Sequence, residues 1–243
     1  MRSPQRRYEA LRRMVDRRLR SVMSSDHPKE LAEACQYVLT AGGKRVRSVL
    51  VLLACEAVGG KAAQALDAAA AVEILHNFTL VHDDIMDNAP TRRGRPTVHR
   101  KWNLNNALLA GDLLLGLAYR YLLRTRSPHR DRALKVLTEA FIAVCDGQAL
   151  DLEFEKRSDV TVDEYFRMIA WKTGALIAAA TEIGAIIGGG TEREIAGLRK
   201  FGMFIGRAFQ LQDDLLDVVG KEQDFGKTIG GDILEGKKTF LLL

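Results

Sequence analysis

Two runs of three aspartates, each set in an apolar stretch with helical spacing, restrict most strongly how this chain can fold. The first is Asp83-Asp84-x-x-Asp87, flanked by Phe78, Leu80, Val81, Ile85 and Met86. The second is Asp213-Asp214-x-x-Asp217, flanked by Phe209, Leu211, Leu215, Leu216, Val218 and Val219. Residues four apart share one face of a helix, so Asp83 stands beside Asp87 and Asp213 beside Asp217. Like charges at that spacing repel, and acids among apolar residues need partners. One such cluster could be a solvated helix face. Two of them favour a pair of helices facing each other across a cage of hard oxygen ligands. That donor set suits Mg²⁺, which binds through a few carboxylates plus substrate phosphates and keeps several waters.

The rest of the chain reads as helix. Its 243 residues can hold one large domain with a real core, 47% are hydrophobic and only 7% are aromatic. Tyr8, Leu11, Val15, Leu19 and Val22 repeat at helical spacing within an arginine-rich N-terminal segment. Glu9 and Asp16 in that segment count against a transit peptide. Pro28 opens a second helix running to about 40, and a third covers 46–58 between two glycine pairs. A long helix over 62–88 carries the first acid cluster. Further helices are expected at 103–125, 129–156, 161–187 and 192–219, the last two opening on capping boxes at Thr161/Glu164 and Thr191/Glu194. A glycine-rich loop covers 220–231. No period-two alternation marks a strand, and no apolar run is long enough to suggest a transmembrane segment. The fold expected is all-α: a single domain, 1–243, forming a bundle of long helices around a central cavity. Cys35, Cys55 and Cys145 are scattered and read as small buried hydrophobes in a reducing compartment, which points to the cytoplasm.

The net charge of +5 raises the question of nucleic acid, but the cations sit in short groups beside glycine without interleaved aromatics. They suit a compact polyphosphate better than a duplex. Gly42-Gly43-Lys44-Arg45-Val46-Arg47 places three cations at a turn leading into a helix, either an anion site or an ordinary basic turn. Arg92-Arg93-Gly94-Arg95 begins five residues beyond Asp87, so metal-holding acids are followed by paired guanidinium groups, a natural diphosphate clamp. His76 lies about two turns before Asp83 and is either structural or part of the site. Lys172-Thr173-Gly174 interrupts an apolar helix, where a lysine wants an anionic partner. Gln210 precedes Asp213 by one turn, Lys227 lies in the glycine-rich stretch, and Lys237-Lys238 comes near the end. Gly147-Gln148-x-x-Asp151 adds one more polar turn, with Asp151 a possible further acid.

These motifs, in this order from Gly42 to Thr239, resemble the trans-type isoprenyl diphosphate synthases, the polyprenyl synthetase family, across most of the chain. The most specific matches are Glu73-Ile74-Leu75-His76 through Asp87, Thr91 through Thr97, and Gln210 through Asp217 followed by Gly226-Lys227 and Gly236-Lys237. The resemblance implies the isoprenoid synthase fold, a homodimer, and Mg²⁺, three per active site, held by the Asp83/Asp84/Asp87 and Asp213/Asp214/Asp217 clusters. It implies that Arg92, Lys172, Lys227 and Lys237 grip an allylic diphosphate. Lys44, Arg47, His76 and Arg93 would hold isopentenyl diphosphate. Lys172, Thr173 and Gln210 would serve catalysis at the reacting carbons. The implied reaction is ionisation, condensation and elimination to a short all-trans prenyl diphosphate.

Phe78, five residues before Asp83, is the expected floor for the growing tail, and the non-aromatic Thr79 beside it favours C20 over C15. The alternatives are a longer-chain polyprenyl diphosphate synthase and a non-catalytic accessory subunit, although such subunits usually lose the acid clusters. A class I terpene cyclase usually carries a different second metal motif. Family members usually continue for several helices beyond Lys237, so the C-terminal helices are expected to be missing here.

Overall fold

The computed structural model describes residues 3–24, 26–219, 237–241 and 243. Ten α-helices follow one another along the described chain: α1 (Pro4–Arg20), α2 (Lys29–Leu39), α3 (Val46–Ala57), α4 (Leu66–Met86), α5 (Val98–Lys101), α6 (Leu104–Leu123), α7 (Arg130–Phe154), α8 (Val162–Ile169), α9 (Ala175–Gly188) and α10 (Glu192–Val219). A short 3₁₀ turn, Ala62–Ala65, leads into α4. The expected glycine-rich loop at 220–231 lies outside the described residues.

The chain marks its own helix ends. Ser3 accepts the Arg6 amide at the start of α1, and Thr161 with Glu164 forms a reciprocal capping box at α8. The Thr191–Glu194 box does the same at α10. Each of these satisfies amides that a helix start would otherwise leave unpaired.

α4 is the axis of the bundle. Ala68, Ala69, Ala70, Ala71, Val72, Glu73, Ile74 and Leu75 are all buried, so this helix is surrounded rather than amphipathic. Its four consecutive alanines let neighbours approach closely. α6 and α3 pack on it, while α9 is wedged between α3, α7 and α10. Leu52, Ile74, Leu114 and Leu122 are fully buried in the shared core. Each contributes roughly 1.5–3 kcal/mol of hydrophobic stabilisation. The same packing brings the C-terminal parts of α4, α7 and α10 together, where the acid clusters lie.

Four sequence expectations need correction. Cys145, read as buried with Cys35 and Cys55, is exposed. Thr91–Arg92 and Arg95–Pro96 form a small antiparallel pair, with Arg92 opposite Arg95. Two residues a side are too few for a period-two pattern to register. The helix expected over 161–187 is broken by a π turn at Ala170–Gly174. Val162–Gly188 is also long and apolar enough to cross a membrane, contrary to the reading of the sequence. In the bundle 78% of its most apolar window is buried, as in a core helix.

Candidate active site

A cavity of about 330 Å³ opens between α4, α7, α10 and the π turn. Asp83 and Asp87 face it from α4, and Asp213 and Asp214 from α10. Three acids crowd the C-terminal turn of α4, the end of a helix that disfavours negative charge. Burial pushes the Asp83 carboxyl up to about 6; Lys172 opposes this and Asp87 adds to it. Such a group is short of positive charge. Among the described residues no three acids, histidines or cysteines stand close enough to hold a metal ion by themselves. Carboxylates from two helices facing one cavity are nonetheless a hard-oxygen donor set of the kind that shares Mg²⁺ with substrate phosphates.

The two acid clusters divide their residues differently. Successive helical residues point about 100° apart, so the middle aspartate of the first motif turns away from the cavity that Asp83 and Asp87 face, whereas the second presents Asp213 and Asp214. Asp84 is buried off the cavity wall and accepts a 2.6 Å hydrogen bond from Arg92 Nε. Asp214 reaches the wall but is buried, accepting from Gln210 Nε2 at 2.8 Å and from the Tyr165 hydroxyl. Asp217 is buried and is not on the wall. Of the six expected metal ligands, the structure brings Asp83, Asp87, Asp213 and Asp214 to the cavity. It leaves Asp84 and Asp217 behind it.

Lys172 and Thr173 reach the cavity because of the π turn. Its wider coil presents both side chains, a distortion frequent at functional sites. Gly147 of α7 allows it: a Cβ there would lie 2.3 Å from the Lys172 backbone nitrogen. Lys172 Nζ pairs with Asp151, the anionic partner its apolar setting requires. Thr173 Oγ1 donates to Gln210 Oε1 at 2.7 Å. Because Asp214 accepts from Gln210 Nε2, the amide oxygen is turned toward Thr173. Thr173, Gln210, Asp214 and Tyr165 thus form one relay across the cavity wall.

The opposite wall is cationic. Arg47, Arg92 and Arg93 line it with His76. Arg93 donates to the Gly42 carbonyl at 2.6 Å, and its guanidinium lies under Gly43, where φ is +123° and a Cβ would come within 3.1 Å. The two glycine-rich basic motifs are therefore in contact. Lys44 is exposed and is not on the wall, contrary to expectation. Its neighbour Arg45 turns inward instead, pairing with Glu73 and Asp16 at 3.0 Å each. Lys237 lines the cavity 3.7 Å from Asp87, and Lys227 lies outside the described residues.

His76 Nε2 accepts from Arg47 at 3.2 Å, so the imidazole is neutral at that nitrogen. Burial holds its pKa well below 6.5, with Arg47, Arg93, Arg92 and Arg45 acting in the same direction. The unfolded chain takes up this proton near 6.5 and the folded one does not. Stability from His76 is therefore complete above pH 6.5 and lost as pH falls below it, by about 1.4 kcal/mol per pH unit. Asp83 acts in the opposite sense, so the comparison must be with His76→Gln. Melting curves from pH 7.5 to 5 should diverge, the parent losing more on acidification. Parallel curves would contradict the buried neutral imidazole.

Phe78 is not on the cavity wall. It is buried against Phe141, with ring centroids 5.5 Å apart, and against His82 at 4.6 Å. Thr79, one residue on, faces the cavity together with Val144 and Leu176. Of the polar wall residues, Tyr165 escaped the sequence reading and carries no motif of its own. Gln148 was read only as part of a polar turn; it shares a helical face with Val144 and Asp151, and that spacing places it on the wall.

The sequence profile of the polyprenyl synthetase family matches residues 28–243. A short chain isoprenyl diphosphate synthase of Methanothermobacter thermautotrophicus is 48% identical over 231 residues, covering 95% of this chain and 71% of that protein. A geranylgeranyl diphosphate synthase of Methanosarcina mazei is 43% identical over 231 residues, covering 94% and 71%. The crystal structure of geranylgeranyl pyrophosphate synthetase from Pyrococcus horikoshii superposes with a TM-score of 0.92 at 44% identity, covering 98% of this chain and 74% of that one.

Proposed function

The chain belongs to the polyprenyl synthetase family, and from that membership we propose that its cavity joins isopentenyl diphosphate to an allylic diphosphate with Mg²⁺, giving a C20 all-trans prenyl diphosphate. It is a short-chain trans-prenyltransferase, like the relatives it matches. One observation carries the reading: carboxylates from α4 and α10 share a single cavity with Arg47, Arg92, Arg93 and Lys172. Acids and cations facing one space are what a metal diphosphate needs on its two sides.

Asp83, Asp87 and Asp213 would hold the metal, three ions per site. Bound Mg²⁺ supplies Lewis-acid stabilisation of the diphosphate as it leaves. Arg92, Lys172, Lys237 and, from the resemblance, Lys227 take the allylic diphosphate. Arg47, His76 and Arg93 take isopentenyl diphosphate; the exposed Lys44 is left out of that group. The allylic C–O bond breaks with both electrons leaving on oxygen, and fixed cations favour that developing charge without reorganising. The double bond of isopentenyl diphosphate then attacks the allylic cation. Loss of a proton to the released diphosphate forms the new double bond. Thr173 and Gln210 present oxygen dipoles to the cationic carbons, and Asp214 with Tyr165 fixes Gln210 in that sense. No protein base stronger than the leaving diphosphate is required.

Exposed Leu104, Leu108, Leu109 and Leu123 along α6 support a homodimer through that face. A single domain working in the cytoplasm completes the proposal.

Chain length follows from what lies under the Thr79–Val144–Leu176 wall. Phe141 is one turn from Val144 and Phe78 is next to Thr79, so their edge-to-face pair closes the space between α4 and α7. Incubation with Mg²⁺, isopentenyl diphosphate and dimethylallyl, geranyl or farnesyl diphosphate, followed by sizing, should give C20. Phe78→Ala should give C25 or longer. A Phe78→Ala product of unchanged length would remove the pair as the floor.

A further inference from the structure

We propose that Gln148 is a further catalytic residue of this prenyl transfer, its side-chain amide oxygen facing the allylic carbons as they become cationic. The inference rests on the prenyltransferase reading and adds a residue to that reaction. Gln148 is only 8% exposed, yet it lines the cavity, and among the described residues neither its amide nitrogen nor its amide oxygen has a hydrogen-bond partner. A primary amide offers two donors and an oxygen acceptor. Leaving all of them unmatched in a folded wall is destabilising, because the groups lose water and gain nothing. The other polar wall residues of α7 and the π turn do not share this condition. Asp151 pairs with Lys172, and Thr173 bonds to Gln210.

The position of the amide indicates what it meets. Along α7, Val144 lies about 6 Å to one side of Gln148 and Asp151 about 4.5 Å to the other. Val144 belongs to the apolar end of the cavity with Thr79 and Leu176, and Asp151 to the charged end with Lys172. Gly147 seats the α7 backbone directly against the π turn, which fixes Gln148 beside Lys172 and Thr173. The amide therefore sits where the diphosphate end of an allylic substrate gives way to its hydrocarbon end. When the C–O bond breaks, its electron pair leaves with the diphosphate and positive charge spreads over two allylic carbons. An amide oxygen held there lowers the energy of that charge more than that of the neutral substrate, which is the condition for catalysis.

The test uses Gln148→Leu, with Gln148→Met as a second variant of similar size, and two probes in the presence of Mg²⁺. One probe is a prenyl ammonium diphosphate carrying a positive nitrogen at the cationic carbon. The other is an unreactive neutral allylic thiolodiphosphate. Both variants should melt at or above the parent temperature, since an apolar group replaces unmatched polar atoms. Affinity for the ammonium probe and kcat should each fall by about tenfold to a hundredfold, with thiolodiphosphate affinity unchanged. Equal effects on both probes, no effect on either, or lowered melting in both variants would assign the amide a structural role and overturn the proposal. Failure of the parent to bind either probe would instead overturn the prenyltransferase reading on which it rests.

Discussion

Asp83→Asn should lower kcat by roughly 10³- to 10⁴-fold while leaving the melting temperature unchanged or raised. Asparagine keeps the shape of the side chain and removes the charge. That charge sits at the wrong end of α4, in a buried position that pushes its carboxyl up to about 6, with Asp87 one turn away. Without a cation it costs the fold stability. With one it completes the metal diphosphate, where losing a ligand forfeits several kcal/mol of transition-state stabilisation, and each 1.36 kcal/mol is about tenfold in rate. Steady-state turnover at saturating Mg²⁺ and thermal melting without ligand separate the two effects. A variant that keeps its rate, or that loses rate and stability together, would mean that Asp83 serves the helix and not the reaction.

Arg45→Met should destabilise the fold by about 3–5 kcal/mol, the cost of stranding a buried charge. Arg45 and Glu73 are each 2% exposed at the side chain and bridge α3 and α4 at 3.0 Å. Arg45 also donates to the Leu39 carbonyl, and Glu73 accepts from Ser48 Oγ at 2.8 Å. Methionine fills the space but leaves the Glu73 carboxylate in the core with the Ser48 hydroxyl and without its cation. The melting temperature should fall by on the order of 10 °C for a chain of this size. Arg45→Met combined with Glu73→Leu should recover most of that loss, because the pair is then replaced by apolar contacts. A single variant within about 1 kcal/mol of the parent in chemical denaturation would contradict the buried pair as the link between the two helices.

The same Arg45 shows how far the sequence could be read. It stands in a run of cations beside two glycines, and all three cations looked alike. Only the backbone distinguishes them: Arg45 adopts φ +55° before α3, turning its side chain into the core while Lys44 points outward and Arg47 continues to the cavity. Long helices were legible because their apolar period persists over many residues; α10 spans 192–219 as expected. The π turn was not, since one widened coil barely disturbs the period of an already apolar helix. Direction within a motif was legible only in part: Asp213 reaches the cavity, but Asp217, four residues on, does not. Asp83 and Asp87 share the cavity, but Asp84 faces Arg92, and Thr79 takes the wall position expected of Phe78. Gln148 was visible as part of a polar turn, but its burial was not. A polar residue on a helix looks solvated until packing shows that it is buried and, among the described residues, without a partner.

Incorporation of isopentenyl diphosphate into farnesyl diphosphate, measured across a Mg²⁺ titration with and without EDTA, tests the central claim most directly. A C20 prenyl diphosphate should form with Mg²⁺, disappear with EDTA, return when Mg²⁺ is restored, and remain at trace level with Asp83→Asn throughout. Incorporation indifferent to EDTA, or none from any allylic starter by folded protein saturated with Mg²⁺, would contradict a metal-dependent prenyl transfer in this cavity.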